Sequence, residues 1–147
     1  MTSELKPDKQ TVVEPDGART PSPKRVLVIE DDEKTSLLLT DNLRQEGYEV
    51  IPVFDGETGV KAAMEQLPDI ILLDLLLPKL DGWEVCRRLR QPGAATLSIP
   101  IIIVSVLAKD IASSTPPMGS ISLFNKPFEV NALLTEVKRM IVQSVVP

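Results

Sequence analysis

Five polar residues that are far apart in the sequence each lie at or just beyond the end of a short apolar run: Glu30, Asp31, Asp74, Ser105 and Lys126. Open α/β sheets form their ligand sites at the carboxyl ends of the parallel strands, so these side chains are expected to meet at one edge of a sheet. Three carboxylates, one hydroxyl and one amine in a small volume favour a metal-dependent site for phosphoryl chemistry.

The three carboxylates predict a cation site. Glu30, Asp31 and Asp74 would repel one another unless they took up protons or bound a cation. Mg²⁺ suits a set of oxygen ligands, and no soft ligand for zinc or copper is expected nearby. With the cation in place, Asp74 can act as a nucleophile on phosphorus and form an aspartyl phosphate. Lys126 would balance the charge of the phosphoryl oxygens, and the Ser105 hydroxyl could donate a hydrogen bond to one of them.

Composition excludes several other kinds of chemistry. The chain contains no histidine, which rules out Ser-His-Asp and Cys-His catalysis and a phosphohistidine donor within the same chain. Its net charge of −5 argues against a nucleic-acid-binding surface. No apolar run approaches the roughly 20 residues that a membrane span needs, and the first nine residues lack the core of a signal peptide. A cytoplasmic protein is therefore expected.

The elements that must position these residues can be read from alternating patterns. Apolar, β-branched runs predict strands at 26–29, 48–53, 69–73, 101–104 and 121–124, with helices at about 33–46, 56–66, 82–91, 107–114 and 128–143. Asp32, Asp55 and Asp81 are expected N-caps of the first three helices. Continuous apolar strands that are each followed by a helix indicate a doubly wound parallel sheet, an α/β fold. Pro116 and Pro117 cannot continue a helix, so the fourth helix is expected to be short or irregular.

The first 24 residues differ from the remainder of the chain. Residues 1–24 contain four prolines and no aromatic residue, and their four acids balance four bases. Such a segment cannot bury enough apolar surface to offset the entropy lost on ordering. We therefore expect a flexible tail at 1–24 and a single domain at 25–147.

Four segments in the same order and spacing resemble the receiver domains of two-component response regulators, over about residues 25–143. They are Val-Leu-Val-Ile-Glu30-Asp31-Asp32, Ile-Ile-Leu-Leu-Asp74-Leu-Leu-Leu-Pro78 continuing to Asp81-Gly82, Ile-Ile-Val-Ser105, and Asn125-Lys126-Pro127-Phe128. Each is a weak motif alone, but the combination is specific. The resemblance implies a single-domain regulator with a five-stranded parallel sheet in the flavodoxin-like order 2-1-3-4-5.

The resemblance also implies a function. Asp74 would accept a phosphoryl group from a sensor histidine kinase or a histidine phosphotransfer protein. Glu30, Asp31 and Asp74 would hold Mg²⁺ together with the backbone carbonyl of Leu76. The domain would then signal by contact with a downstream protein target, not by enzymatic turnover.

The switch residues match the family pattern at two positions and depart from it at two others. Ser105 and Lys126 match the phosphoryl-stabilising and switch positions, and the Lys126-Pro127 peptide is expected to be cis. The aromatic residue that usually stands three positions before the lysine is Leu123, so a rotating aromatic relay is not expected. The very small residue that usually follows the hydroxyl is Val106, which is expected to crowd entry of the phosphoryl group.

Three alternatives can be compared with this interpretation. A pseudo-receiver would keep the fold as an interaction module without regulation by phosphorylation, although all five site positions are chemically competent. A haloacid-dehalogenase-like phosphatase needs a second acid two residues after the nucleophile, where Leu76 stands. A flavin-binding loop after the first strand would hold phosphate, which Glu30 and Asp31 would repel.

Overall fold

The computed structural model describes residues 22–106 and 119–144. The described elements are β1 (Arg25–Ile29), α1 (Glu33–Gln45), β2 (Glu49–Val53), α2 (Gly56–Gln66), β3 (Ile70–Leu73), α3 (Gly82–Leu89), β4 (Ile101–Ser105), β5 (Ile121–Asn125) and α4 (Val130–Ser144). Within these residues a helix follows each strand except β4, as predicted, and the connection from β4 to β5 lies mostly outside them. The expected tail at 1–24 and the irregular fourth helix near 107–114 lie almost wholly outside the described residues.

The five strands form one parallel sheet in the order β2-β1-β3-β4-β5, which confirms the predicted fold and strand order. The strand order reverses between β1 and β3, so the topological switch point lies there. Open α/β sheets bind their ligands at this point. Ile29 pairs with Leu73 in this sheet. The residues that directly follow them, Glu30 and Asp74, therefore emerge side by side.

Two apolar layers cover the sheet. Alternate strand residues point to opposite faces, so Leu27 and Leu73 pack in the cluster that contains α2 and α3 residues. Val28 and Leu72 pack in the cluster that contains α1 and α4 residues. The central strands β1, β3 and β4 are buried on both faces, which explains why their sequences are continuous apolar runs.

The first three helices begin at aspartate caps, as the sequence predicted. Each cap has extended backbone, and its side chain accepts a hydrogen bond from the backbone N–H three residues later. The pairs are Asp32 with Thr35, Asp55 with Thr58, and Asp81 with Glu84. Each of these caps lies in a loop at the carboxyl edge of the sheet, so the caps fix where the site loops end.

Cys86 is fully buried on α3, where it belongs to the apolar cluster that contains α2 and α3 residues. Burial raises the pKa of its thiol to about 12, which leaves it without the thiolate needed for reaction. Across residues 22–106 and 119–144, no helix is both long and apolar enough to cross a membrane.

Candidate phosphoryl and metal site

The three predicted carboxylates converge at the carboxyl ends of β1 and β3. One oxygen from each of Glu30, Asp31 and Asp74 lies within 4.8 Å of the other two. Glu30 and Asp74 are buried, whereas Asp31 is exposed. The sheet fixes this arrangement, because the Glu30 N–H donates to the Val53 carbonyl at 3.1 Å and the Asp74 N–H donates to the Ile29 carbonyl at 3.0 Å.

Lys126 reaches the same place from the end of β5. Its Nζ lies 2.8 Å from Glu30 Oε1 and 2.9 Å from Asp74 Oδ2, so one ammonium group binds both buried carboxylates. The Lys126 backbone N–H donates to the Ser105 carbonyl at 3.0 Å. The Lys126-Pro127 peptide is cis, which confirms the expectation drawn from the resemblance.

The electrostatics of this group follow from its burial. Desolvation raises the pKa of Glu30. Hydrogen bonds from Lys126 and from the Asp32 N–H offset this increase only in part, and the negative charge of Asp74 raises the pKa further. Burial opposes the charge on Lys126, but the hydrogen bonds to Glu30 and Asp74, together with the negative charges of these residues, outweigh that effect and raise its pKa. Lys126 is therefore firmly protonated, and one positive charge faces three carboxyl groups.

The donor set at this edge fits a hard cation. Three carboxylates supply only oxygen ligands, and the exposed Asp31 leaves one side of the cluster open to water and to a ligand. Mg²⁺ prefers carboxylate and water oxygens and keeps several waters when bound to proteins. The Leu76 N–H donates to Asp74 Oδ1 at 3.1 Å, so the loop after Asp74 also orients that carboxylate.

The remaining predicted residues lie around this cluster. Ser105 is fully buried at the end of β4, and the pairing of Ser105 with Asn125 places it beside Lys126. Val106 is 52 % exposed at the rim, and Leu123 on β5 is partly buried against the core. The geometry thus brings together every residue singled out from the sequence except Leu123, whose side chain packs against the core layer that contains α2 and α3 residues.

Sequence reasoning did not single out an open cavity beside the site. It has a volume of about 340 Å³ and is lined by Thr35, Leu38, Val106, Lys126, Pro127 and Phe128. Thr35 and Leu38 are one turn apart at the start of α1, and Leu38 is 44 % exposed. Leu38, an apolar residue on the outward face of α1, was the only sign of this cavity in the sequence. A single exposed leucine is ordinary on a protein surface, so it could not be recognised as such.

Comparison with known proteins agrees with this geometry. Residues 26–138 match the family sequence model for the response regulator receiver domain. Over 120 residues the chain is 39 % identical to the alkaline phosphatase synthesis transcriptional regulatory protein PhoP of Bacillus subtilis, covering 79 % of this chain and 49 % of that protein. Over 119 residues it is 37 % identical to the DNA-binding dual master transcriptional regulator RpaA of Synechocystis sp., covering 80 % and 48 %. The chain thus spans about half the length of these curated relatives.

A solved structure shows the same fold. It is the receiver domain of a sensor histidine kinase from Pseudomonas aeruginosa PAO1, described with a magnesium ion coordinated in its active-site cleft. The TM-score is 0.73 at 29 % sequence identity, and the alignment covers 82 % of this chain and 98 % of that domain. The matched family model, the strand order and the shared fold establish that this chain belongs to the response regulator receiver domain family.

Proposed function

We propose that this chain is a phosphoacceptor in two-component signal transduction and that Asp74 carries the phosphoryl group in a Mg²⁺-dependent reaction. The observation that carries the proposal is the position of Lys126 Nζ, which binds both Asp74 and Glu30 within the carboxylate cluster. A buried aspartate between a lysine and two further acids can hold a cation and a phosphoryl group at once.

The transfer step follows from this arrangement. A carboxylate oxygen of Asp74 attacks the phosphorus of a phosphohistidine, the P–N bond breaks, and the imidazole leaves with the bonding electron pair. The chain has no histidine, so the donor belongs to a partner, either a sensor histidine kinase or a histidine phosphotransfer protein. Bound Mg²⁺, held by Glu30, Asp31, Asp74 and the Leu76 carbonyl, would neutralise charge on the transferred phosphoryl oxygens.

Lys126 and Ser105 complete the proposed site. Once the Asp74 carboxylate is phosphorylated, Lys126 keeps Glu30 as a partner and is free to bind a phosphoryl oxygen. Ser105 stands at the end of β4 in register with the residue before Lys126, and its hydroxyl would donate to another phosphoryl oxygen. Because position 123 holds a partly buried leucine, we propose that the switch operates without a rotating aromatic side chain.

The proposed output is contact with a downstream protein target in the cytoplasm. The chain is a signalling domain, and the net charge of −5 gives no reason to propose direct nucleic-acid binding.

A pseudo-receiver is the second candidate, and Val106 is the observation that favours it. Its side chain stands at the rim of the site where the family usually has a very small residue, and it could obstruct the approach of a phosphoryl donor. In an interaction module of this kind, Lys126 would stay bound to Glu30 and Asp74, because no phosphoryl group would replace these contacts.

One experiment separates the two candidates. The wild type, Asp74→Asn and the control Asp41→Asn, an exposed position on α1, are incubated with acetyl phosphate in Mg²⁺ or in EDTA and measured by intact mass spectrometry. We expect a gain of one phosphoryl group in the wild type and in Asp41→Asn, only with Mg²⁺, and no gain in Asp74→Asn. A wild type that never gains mass would support the pseudo-receiver.

A further inference from the structure

The loop between Asp74 and Asp81, called the β3–α3 loop, contains a strained turn. The Leu80 N–H donates to the Pro78 carbonyl at 2.7 Å, and Lys79 between them has a φ of +69°. A γ-turn with a positive φ at its centre is rare and strained, and non-glycine residues seldom adopt this φ. A loop in this conformation needs contacts from outside to hold it.

The start of α2 supplies such contacts. A Cβ atom on Gly56 would lie 2.0 Å from the Leu80 carbonyl oxygen and 2.8 Å from Leu80 Cβ, so only glycine permits this approach. The Gly56 N–H also points to the Pro78 carbonyl at 3.4 Å. Lys79 Nζ lies 3.9 Å from Asp55 Oδ2, a weaker contact at the surface.

The other end of the loop has a similar contact. A Cβ atom on Gly82 would lie 2.5 Å from the Asp74 carbonyl oxygen, and the Gly82 N–H donates to the Leu75 carbonyl at 2.9 Å. The loop is therefore held at both ends by glycines. Gly82 lies directly against Asp74, whereas Gly56 lies on a different helix, against Leu80.

The connection between β2 and α2 also supports Glu30. Val53, the last residue of β2, accepts the hydrogen bond from the Glu30 N–H at 3.1 Å. Only two residues separate Val53 from Gly56. The segment from Val53 to Gly56 is thus the common support of Glu30 and of the loop that carries Leu76.

We propose that Gly56 is a positioning residue for the phosphoryl site. Because Gly56 has no side chain, the Leu80 carbonyl can lie against the start of α2. This contact holds the β3–α3 loop in the position in which Asp74 and the Leu76 carbonyl can bind one cation together with Glu30. The inference rests on the proposed function, because the cation and the phosphoryl group belong to that function.

The test compares Gly56→Ala with Gly93→Ala. Gly93 has a φ of +85° and open space around it, so its alanine variant is strained by backbone conformation alone, away from the β3–α3 loop. Each variant is first checked by urea unfolding, and assays run where it is folded. The readouts are the rate of phosphorylation by acetyl phosphate and the Mg²⁺ dissociation constant. The latter is followed by the fluorescence of Trp83, the single tryptophan of the sequence, which follows Gly82 at the start of α3.

We expect Gly56→Ala to weaken Mg²⁺ binding and slow phosphorylation by about tenfold each, since a misplacement of about 1 Å can cost far more than that in rate. Gly93→Ala should stay within about twofold of the wild type, because strain outside the site alters stability and not site geometry. Affinity and rate in Gly56→Ala that match those of Gly93→Ala would overturn the inference.

If Gly56→Ala does not fold, Asp55→Ala replaces it. This variant removes the cap that fixes Gly56 at the start of α2, and we expect Mg²⁺ binding about threefold weaker from the loosened first turn. An unchanged Mg²⁺ dissociation constant in Asp55→Ala would then overturn the inference. A wild type that binds no Mg²⁺ and accepts no phosphate would contradict the proposed function as well, whereas a competent wild type with unaffected variants contradicts only the role of Gly56.

Discussion

At the scale of single residues, Lys126 sets the charge balance of the site. Its ammonium group is the cation that binds both Glu30 and Asp74, whose side chains are 3 % and 7 % exposed. Two buried carboxylates without a cation would be strongly unfavourable. A divalent ion can supply the missing charge, so the effect of losing Lys126 should depend on Mg²⁺.

We predict that Lys126→Met lowers the free energy of unfolding by about 3 kcal/mol in EDTA, because it leaves buried carboxylates without their partner. Mg²⁺ should stabilise this variant by more than it stabilises the wild type. Urea unfolding with and without Mg²⁺ measures both effects, with Lys61→Met, an exposed lysine on α2, as the control. A loss of equal size in EDTA and in Mg²⁺ would contradict the charge-balance explanation.

Apolar side chains beside Asp74 should lengthen the life of the phosphoryl group. Leu76 is 53 % exposed and Val106 is 52 % exposed, so both present apolar side chains to the solvent near the site. We expect Leu107, which lies outside the described residues, to act with them. We predict that Leu76→Asn speeds loss of phosphate about tenfold, which corresponds to a barrier lowered by about 1.4 kcal/mol. Phosphate release after removal of acetyl phosphate gives the rate. Leu97→Asn, at the opposite edge of the sheet, is the control, and equal rates in the two variants would refute the role of Leu76.

At the scale of the elements, helix starts are fixed by ionised caps. Asp55 accepts hydrogen bonds from the Thr58 N–H at 2.8 Å and from the Thr58 hydroxyl at 3.0 Å. The backbone hydrogen bond from Thr58 is the main cause that lowers the pKa of Asp55 below its ordinary value of 3.8. The ionised cap therefore stabilises the folded state.

This cap gives a pH dependence with a definite sign. Because the folded pKa of Asp55 is lowered, its stabilising effect is complete above about pH 4 and is lost as the pH falls from 3.8 through the folded pKa. Asn caps a helix without the charge. We predict that Asp55→Asn is less stable than the wild type by about 0.5 kcal/mol at pH 7 and that the difference is smaller at pH 3, below the ordinary pKa of 3.8. Urea midpoints at both pH values test this; a difference independent of pH would show that the charge plays no part.

Local sequence signals predicted the strands and the capped helices to within one or two residues. Asp32, Asp55 and Asp81 could be recognised as caps because a cap depends only on its own turn. The strained turn at Lys79 could not be predicted, since its conformation depends on contact with Gly56, more than twenty residues earlier. No local sequence pattern predicts that the backbones of two separate loops lie close together.

At the scale of the whole molecule, the strand order makes the site. Once the order 2-1-3-4-5 is given, the ends of β1, β3, β4 and β5 lie in a row, so Glu30, Asp74, Ser105 and Lys126 emerge in that order at one edge of the sheet. The sequence pattern indicated a parallel sheet, while the strand order came from the family resemblance. The sharing of Lys126 between Glu30 and Asp74 was not predicted, because it depends on side-chain lengths and on the exact separation of the strand ends.

The boundary proposed between tail and domain can be tested directly. The Lys24 carbonyl accepts a hydrogen bond from the Glu49 N–H at 2.9 Å, so a shortened chain should retain Lys24. We predict that removing residues 1–22 changes the thermal midpoint by less than about 2 °C and leaves phosphorylation by acetyl phosphate unchanged, because the polar, proline-containing composition of this segment is expected to contribute little buried apolar area. A drop of about 5 °C or more would mean that this segment packs on the domain.

The central claim is that Asp74 carries the phosphoryl group and that Mg²⁺ is required for it. The most direct measurement is to treat the protein with acetyl phosphate in Mg²⁺ or EDTA, reduce it with borohydride, which converts an aspartyl phosphate to homoserine, and map the peptides by mass spectrometry. We predict homoserine at position 74 only in the Mg²⁺ sample. Homoserine at another aspartate, or at position 74 in both samples to the same extent, would contradict the account.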